Sequence, residues 1–303
     1  MKRIVRKRLP DGTERWVYPF HVCMEGLESM VICRDDEDYD TMVKTIAVSA
    51  HRRNAIIIIY AVVSNHMHAA ILTAGYKEAL AFAEEVKKIY SMRFSHKYGE
   101  KKTLTGNRVT VKLLDSDWYL RNALAYIPRN AIDNGFGVTD YPWSGFRAMF
   151  RDKNGEATGR EVTQMTKREK RSIFHTDDDL SGTKWMIDGK GNLLPESFCD
   201  SAYLEQAFNG DLSFFLKTIG TVNTAGMRYD LVDSGWYRQH DNEFYRTVSE
   251  ITGRWFGKAP GELSIEQKTR VIPYLTRSYR TTTTQLARVL NLTRQDVERI
   301  IGK

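Results

Sequence analysis

Apolar and polar residues alternate along the first half of the chain in patterns that predict strands and helices in turn. Residues 18–33 carry β-branched and aromatic side chains around Gly26 and predict a strand. The acidic cluster at 35–38 then opens a helical run over 39–52. Residues 55–72, rich in Ile and Val, predict a further strand.

A second helix and a short strand follow. Between 77 and 98, apolar residues recur every three or four positions with basic residues on the other side, which predicts an amphipathic helix ending at Gly99. Residues 108–113 predict a strand, and the acidic and hydroxyl side chains at 115–117 can cap the next helix. The first 150 residues are therefore expected to form a domain of mixed helices and strands.

The pattern changes beyond this region. Residues 151–172 are polar and charged, which indicates a domain boundary. This stretch is either a solvated surface segment or a linker that contacts DNA. Residues 174–240 hold enough aromatic and aliphatic side chains for a small core, but no motif assigns them a role. We therefore expect three regions, at 1–150, 151–240 and 241–303.

The C-terminal residues predict two short helices, 284–290 and 294–301, joined by the tight turn Asn291-Leu-Thr. This spacing is typical of a helix-turn-helix, whose second helix lies in the major groove of DNA. The alternative is an unrelated helical hairpin. On the DNA-binding interpretation, the side chains that face DNA are those of Thr293, Arg294, Gln295 and Arg299.

Composition and charge narrow the class of protein. Lys and Arg together number 45 against 38 acidic residues, so the net charge is +7 in 303 residues, a balance that favours a polyanionic partner. No apolar run approaches the roughly 20 residues that span a bilayer, and the basic N-terminus does not read as a signal peptide. Three widely spaced cysteines favour buried thiols over disulfides or a zinc ribbon. We expect a cytoplasmic protein.

Two histidines interrupt the apolar run 55–72. Side chains two positions apart in a strand lie on the same face, so His66 and His68 can bind one ion while Met67 faces the core. Imidazole binds many divalent metals, and oxygen ligands added to it would suit magnesium or manganese with a substrate phosphate. The alternative is a pair of hydrogen-bonded core histidines. The cost of burying an imidazole without partners favours metal binding.

A tyrosine and an asparagine lie farther along the chain at helical spacing. In a helix, Tyr126 and Asn130 lie one turn apart on the same face, so a phenol and an amide oxygen can meet the same metal-bound phosphate. Taken alone, such a pair is more often explained by packing and capping.

These motifs together resemble a known family. The strand with His66 and His68, the later Tyr126 and Asn130 pair, and then Asp140-Tyr-Pro-Trp-Ser-Gly-Phe-Arg147 resemble the single-tyrosine HUH transposases, particularly the REP-associated tyrosine transposases. The three motifs occur in the family's order across roughly residues 18–150, about half of the chain.

The resemblance implies an α+β fold. We expect an HUH endonuclease domain with a central antiparallel sheet flanked by helices, followed by a mostly helical C-terminal region ending in a helix-turn-helix. It also implies single-stranded or hairpin DNA as partner and a protein that acts as monomer or homodimer, without a membrane, associated with the bacterial nucleoid when on DNA.

The resemblance further implies the site. His66, His68 and Asn130 would hold Mg²⁺ or Mn²⁺, Tyr126 would attack a phosphate to give a 5′-phosphotyrosine, and Arg129 would contact DNA. Strand transfer from this intermediate is the chemistry of DNA transposition and recombination.

One departure from the family's pattern concerns the geometry of that site. Pro128 lies between Tyr126 and Asn130 and disfavours helical geometry at Ile127, so the helix is expected to kink or to begin there, and Asp133 becomes a substitute ligand. Pro128 also favours a rival interpretation, a DNA-binding regulator derived from a transposase that no longer cuts. A third is a metal-dependent hydrolase in which the histidines activate water.

Overall fold

The computed structural model describes residues 3–25, 31–100, 109–151, 159–228, 230–231, 241–278 and 281–302. The chain divides into two compact units, 1–235 and 236–303. Residues 26–30 and 108, which the sequence assigned to strands, and 152–158, in the expected boundary, lie outside the described residues.

The first unit is built on an antiparallel sheet of five strands. The order is β1-β2-β4-β3, and β5 pairs with β2. All four pairings are antiparallel, which agrees with the expected α+β class. The strands are β1 Val5–Arg8, β2 Glu14–Glu25, β3 Ile56–Val63, β4 His66–Thr73 and β5 Val109–Leu113.

The prediction of a single strand over residues 55–72 is wrong. The structure forms a hairpin there, in which β3 and β4 pair from Val63 opposite His66 to Ile56 opposite Leu72. Ser64 and Asn65 make the two-residue turn. Both strands are buried almost throughout, so their sequences lack the alternation that would have separated one strand from the next.

Helices cover both faces of the sheet. The helices α1 Asp36–Arg52 and α2 Tyr76–Tyr98 pack on one face, where Met67 and Tyr90 lie in their shared core. The helix α3 Asp117–Asp133 packs on the other. Local capping sets these bounds: Asp35 accepts the Asp38 amide at the start of α1, and Ser116 accepts the Tyr119 amide at the start of α3.

The segment that the sequence set apart at 151–240 largely belongs to the first unit. Tyr203, Phe208 and Phe215 complete the apolar core over α3, and the Asp200 amide donates to Ile57 O at 2.7 Å. These residues pack there because the side of α3 that faces away from the sheet is also apolar and would otherwise be exposed to water. The elements are α4 Lys167–Phe174, α5 Ser201–Ala207, α6 Leu212–Thr221, α7 Thr224–Arg228, β6 Arg160–Glu161 and β7 Met186–Ile187.

The second unit is helical where it is described. Its helices are α8 Asp241–Phe256, α9 Ile265–Ser278, α10 Thr283–Leu290 and α11 Arg294–Ile301, and they share a core that includes Val248, Leu286 and Val297. Asn291 takes the left-handed conformation that turns the chain between α10 and α11. The two terminal helices lie where the sequence predicts them, and their DNA-binding role stays a prediction. Of the helices described, none is long and apolar enough to cross a membrane.

Candidate active site

The β4 strand presents two imidazoles toward α3. The rings of His66 and His68 are 4.7 Å apart, and the ring of His68 lies 5.2 Å from that of Tyr126. Met67, between them, packs into the core on the opposite face. The alternation expected of a strand therefore places the histidines on one face, beside the tyrosine that the sequence selected.

Helix α3 continues through Pro128. It begins at Asp117 and reaches Asp133 without interruption, so the helix does not begin at the proline, one of the two outcomes expected there. The side-chain amide of Asn130 donates from Nδ2 to Tyr126 O at 2.9 Å and to Ile127 O at 3.1 Å. These two bonds hold the amide against its own helix.

The amide oxygen of Asn130 faces a histidine nitrogen. Asn130 Oδ1 lies 3.3 Å from His66 Nε2, and His66 Nδ1 lies 2.7 Å from Asn65 Oδ1. Both partners are amide oxygens, which only accept, and a neutral imidazole carries one hydrogen, so His66 can donate to only one of them; the shorter contact, to Asn65, favours the hydrogen on Nδ1. In that tautomer, His66 Nε2 and Asn130 Oδ1 would both offer an electron pair to a cation placed between them.

His68 offers a second open nitrogen. Its Nδ1 is 3.1 Å from His21 Nε2, while its Nε2 is buried and has no hydrogen-bond partner among the described residues. Burial lowers the pKa of His66 from 6.5 to about 4 and that of His68 well below its usual value. Both imidazoles are therefore neutral near pH 7, as metal ligands must be.

Tyr126 lies in the apolar core between the sheet and α3, and 4% of its surface is exposed. No described residue hydrogen-bonds to its hydroxyl. Burial raises the pKa of this phenol, and the positive charge of Arg228 opposes that shift. The hydroxyl is thus held by packing, and a nearby positive charge or a base would favour its deprotonation.

Two residues near the site escaped the sequence reasoning. His21 is fully buried against His68, and its position in a predicted strand, alternating with apolar neighbours, was an available signal. Arg228, at the end of α7, lies 3.8 Å from Glu25, which pairs with His66 across β2 and β4. No local pattern in the sequence marks Arg228.

The other candidates near the site have protein partners. Arg129 donates to Ile219 O at 2.9 Å and Gly220 O at 3.2 Å, at the end of α6. Asp133, the substitute ligand considered from sequence, is 3.4 Å from Arg129. Both side chains are explained by these contacts, and a DNA contact by Arg129 stays a prediction.

The candidate DNA-binding residues of the second unit lie at the N-terminus of α11 and on its exposed face. Thr293 caps this helix, with its hydroxyl 2.5 Å from Asp296. Arg294 pairs with Glu298 at 2.7 Å, while the Arg299 side chain is 81% exposed and Gln295 is exposed as well. Thr293 thus has a structural role as a helix cap. Arg294, Gln295 and Arg299 remain accessible to a ligand.

The segment after α3 supports the hairpin that carries the histidines. The Val62 amide donates to Trp143 O at 2.9 Å, and Tyr141 donates its hydroxyl hydrogen to Val62 O at 2.5 Å. A side chain on Gly145 would meet the Tyr60 backbone nitrogen at 3.2 Å, so this close approach requires glycine. The segment 140–147 thus braces β3, and through it β4.

The set of possible metal ligands is unusual in composition. Within the described ranges, no three or more His, Cys, Asp or Glu side chains are grouped so that they could hold a metal ion. The candidate set is instead two imidazoles and one amide, His66, His68 and Asn130. Two open ring nitrogens and an oxygen that faces one of them fit a divalent cation.

Comparison with known proteins gives one partial likeness. No family model matches the chain, and no curated protein matches it. A solved structure, that of a REP-associated tyrosine transposase bound to a REP hairpin, is similar over 48% of this chain and 81% of its own, with 18% identity and a TM-score of 0.36. A likeness of this size establishes neither the fold family nor the chemistry of this chain.

Proposed function

We propose that this protein cleaves and rejoins single-stranded DNA, with Tyr126 as the nucleophile and a divalent ion bound by His66, His68 and Asn130. The observation that carries the proposal is the convergence of three electron-pair donors beside this tyrosine. Two of them, His66 Nε2 and Asn130 Oδ1, face each other at 3.3 Å, and the third, His68 Nε2, is buried without a partner among the described residues.

The donor set suits Mg²⁺ or Mn²⁺ with a substrate phosphate. Imidazole and amide ligands leave coordination positions for phosphate oxygens, and manganese accepts imidazole more readily than magnesium does. Bound there, the ion would withdraw charge from the phosphate and stabilise the negative charge of the transition state.

The proposed covalent step uses Tyr126 as the attacking group. Tyr126 Oη loses its proton and attacks phosphorus, the bond from phosphorus to O3′ breaks, and the leaving O3′ takes up a proton. The products are a 5′-phosphotyrosine and a free 3′-hydroxyl. Attack by a second 3′-hydroxyl on the phosphotyrosine releases Tyr126 and joins the strands, with no change in the number of phosphodiester bonds and no need for ATP.

The direct test is a search for the covalent adduct. Single-stranded oligonucleotides from both flanks of the protein's own gene are incubated with the protein and Mn²⁺ or Mg²⁺, then run on a denaturing gel. A slower band is expected with the wild type and is lost in Tyr126→Phe and His66→Ala. Tyr119→Phe, on the same helix, is the matched control and retains the band. An adduct of normal yield in Tyr126→Phe contradicts the proposal.

A second candidate is a DNA-binding regulator that does not cut. The burial of Tyr126, with its raised pKa, favours this function because a buried neutral phenol is a poor nucleophile. The regulator is supported if the protein binds a DNA hairpin in EDTA and as the Tyr126→Phe variant, and if it cleaves neither flank. A nick with a free 5′-phosphate and no attached protein instead identifies a hydrolase that activates water.

We further propose that α11 contributes DNA affinity through Arg294, Gln295 and Arg299. Their exposure supports this role, and neutralised phosphates make binding depend on salt. The double variant Arg294→Ala and Arg299→Ala is expected to lower the slope of log affinity against log salt by about 2. Arg270→Ala, which removes an exposed arginine from α9, is the control for charge. If the slope is unchanged in the double variant, α11 is not part of the DNA-binding surface.

A further inference from the structure

His21 forms a buried contact with one of the proposed ligands. Its Nε2 is 3.1 Å from His68 Nδ1, and both rings are almost wholly inaccessible to solvent. His21 lies on β2 and His68 on β4, and the pairing of Cys23 opposite His68 sets the two histidines on a diagonal of the same sheet face. Such a contact has a direction, because a single hydrogen lies between the two nitrogens.

Only one direction leaves His68 able to bind a cation. A neutral imidazole has one nitrogen that donates and one that accepts. If His21 Nε2 donates, then His68 Nε2 carries the remaining hydrogen and has no lone pair to offer. If His68 Nδ1 donates to His21 Nε2, then His68 Nε2 has the lone pair, directed into the space that it shares with His66 and Tyr126.

We infer that His21 is a positioning residue that accepts the Nδ1 hydrogen of His68 and thereby makes His68 Nε2 the metal-binding nitrogen. The inference rests on the proposed function and deepens it. It gives the two ligands the same kind of partner, because His66 Nδ1 lies 2.7 Å from Asn65 Oδ1, an oxygen that can accept its hydrogen in the same way. Each ligand thus has an acceptor that fixes its tautomer and the orientation of its ring.

The contact also explains a buried polar group that packing alone would disfavour. An imidazole inside an apolar core costs free energy unless its nitrogens have partners, and His21 Nδ1 has none among the described residues. An aliphatic residue would fill the same place on β2 without that cost. The acceptor nitrogen is what His21 provides and an aliphatic residue cannot.

The test measures Mn²⁺ affinity by calorimetry on the full chain. His21→Phe fills the space without an acceptor and is expected to weaken binding by about 10–100-fold, the usual effect of removing a ligand's outer partner. His21→Gln keeps an acceptor oxygen and is expected to retain most of the affinity. His51→Gln, a half-buried histidine on α1, is the control and leaves affinity unchanged.

Two outcomes overturn the inference while leaving the proposed function intact. One is wild-type affinity in His21→Phe, and the other is an affinity in His21→Gln as low as in His21→Phe. If the wild type itself binds no Mn²⁺, the metal-dependent function fails first, and the inference fails with it.

A second measurement reads the tautomer itself. In the ¹⁵N spectrum of the chain saturated with Mg²⁺, His68 is expected to show a protonated Nδ1 and an unprotonated Nε2, and His21→Phe to lose that preference. A protonated Nε2 of His68 in the Mg²⁺-bound wild type overturns the inference, whatever the enzyme's activity.

Discussion

His66 Nε2 lies 3.3 Å from Asn130 Oδ1, a contact between β4 and α3 across 64 positions of sequence. The orientation of both groups is set by other hydrogen bonds, to Asn65 on one side and to the carbonyls of Tyr126 and Ile127 on the other. Neither side chain is therefore free to turn. The site is arranged in advance, as ligand groups must be if they are to bind without a large reorganisation.

Asn130→Ala removes the amide oxygen and both of its helix contacts. We expect Mn²⁺ affinity to fall more than the roughly 10–100-fold that loss of an outer partner costs, and the free energy of unfolding to fall by about 1–3 kcal/mol. Calorimetry and urea unfolding measure the two effects.

Two further variants separate the effect on binding from the effect on stability. Asn134→Ala also removes a side-chain bond to the α3 backbone, at 2.7 Å, yet should leave metal affinity unchanged. Asn130→Asp retains an oxygen ligand and should restore binding. If Asn130→Ala binds Mn²⁺ as tightly as Asn134→Ala does, then Asn130 is not a ligand.

Arg228→Ala removes the positive charge that opposes the rise of the Tyr126 pKa. We expect the rate of adduct formation to fall by about tenfold, less than for a buried oxyanion donor, because Arg228 is exposed and screened by solvent. Single-turnover gels measure the rate. Arg228→Lys should recover part of it, and Lys217→Ala, which removes an exposed charge from α6, should not change it. Equal rates in Arg228→Ala and Lys217→Ala contradict this role.

Buried neutral histidines predict a loss of stability in mild acid. Burial lowers the pKa of His21 from 6.5 to about 3 and that of His66 to about 4. As pH falls below 6.5, the unfolded chain takes up protons that the folded chain does not, so the folded state loses up to about 1.4 kcal/mol per pH unit for each histidine.

Urea unfolding of the full chain in EDTA, between pH 7 and 5, measures this dependence. His21→Phe should reduce the slope of unfolding free energy against pH. Substitution of the exposed His96 by Gln should leave the slope as it is. A slope that His21→Phe leaves unaltered shows that His21 is not held neutral.

Gly145→Ala tests the brace on β3. The added Cβ would lie 3.1 Å from the Tyr60 ring and 3.2 Å from the Tyr60 backbone nitrogen, so we expect a loss of about 1–3 kcal/mol of unfolding free energy. Thermal unfolding measures it. At Gly189 an added Cβ meets nothing within 4 Å, and Gly189→Ala is the control. Equal melting temperatures for the two variants would contradict the close packing of Gly145 against Tyr60.

Local features of the sequence were sufficient to place many of the elements. The helix predicted over 77–98 is observed at Tyr76–Tyr98, and the last helix is observed at Arg294–Ile301 as predicted. Helical periodicity and capping involve residues at most a few positions apart, so they are written in the sequence itself. The same is true of the shared face of His66 and His68, which follows from the alternation of a strand.

Only the tertiary structure decided the rest of the site and the extent of the first unit. The turn at Ser64 and Asn65 separates two strands that are both apolar and buried, and α3 continues through Pro128 where local rules allowed the helix to begin. His21 meets His68 across 47 positions of sequence, and Arg228 reaches Glu25 from a segment with no motif. Contacts of this kind depend on which surfaces pack together, and a pattern of neighbouring residues does not encode that choice.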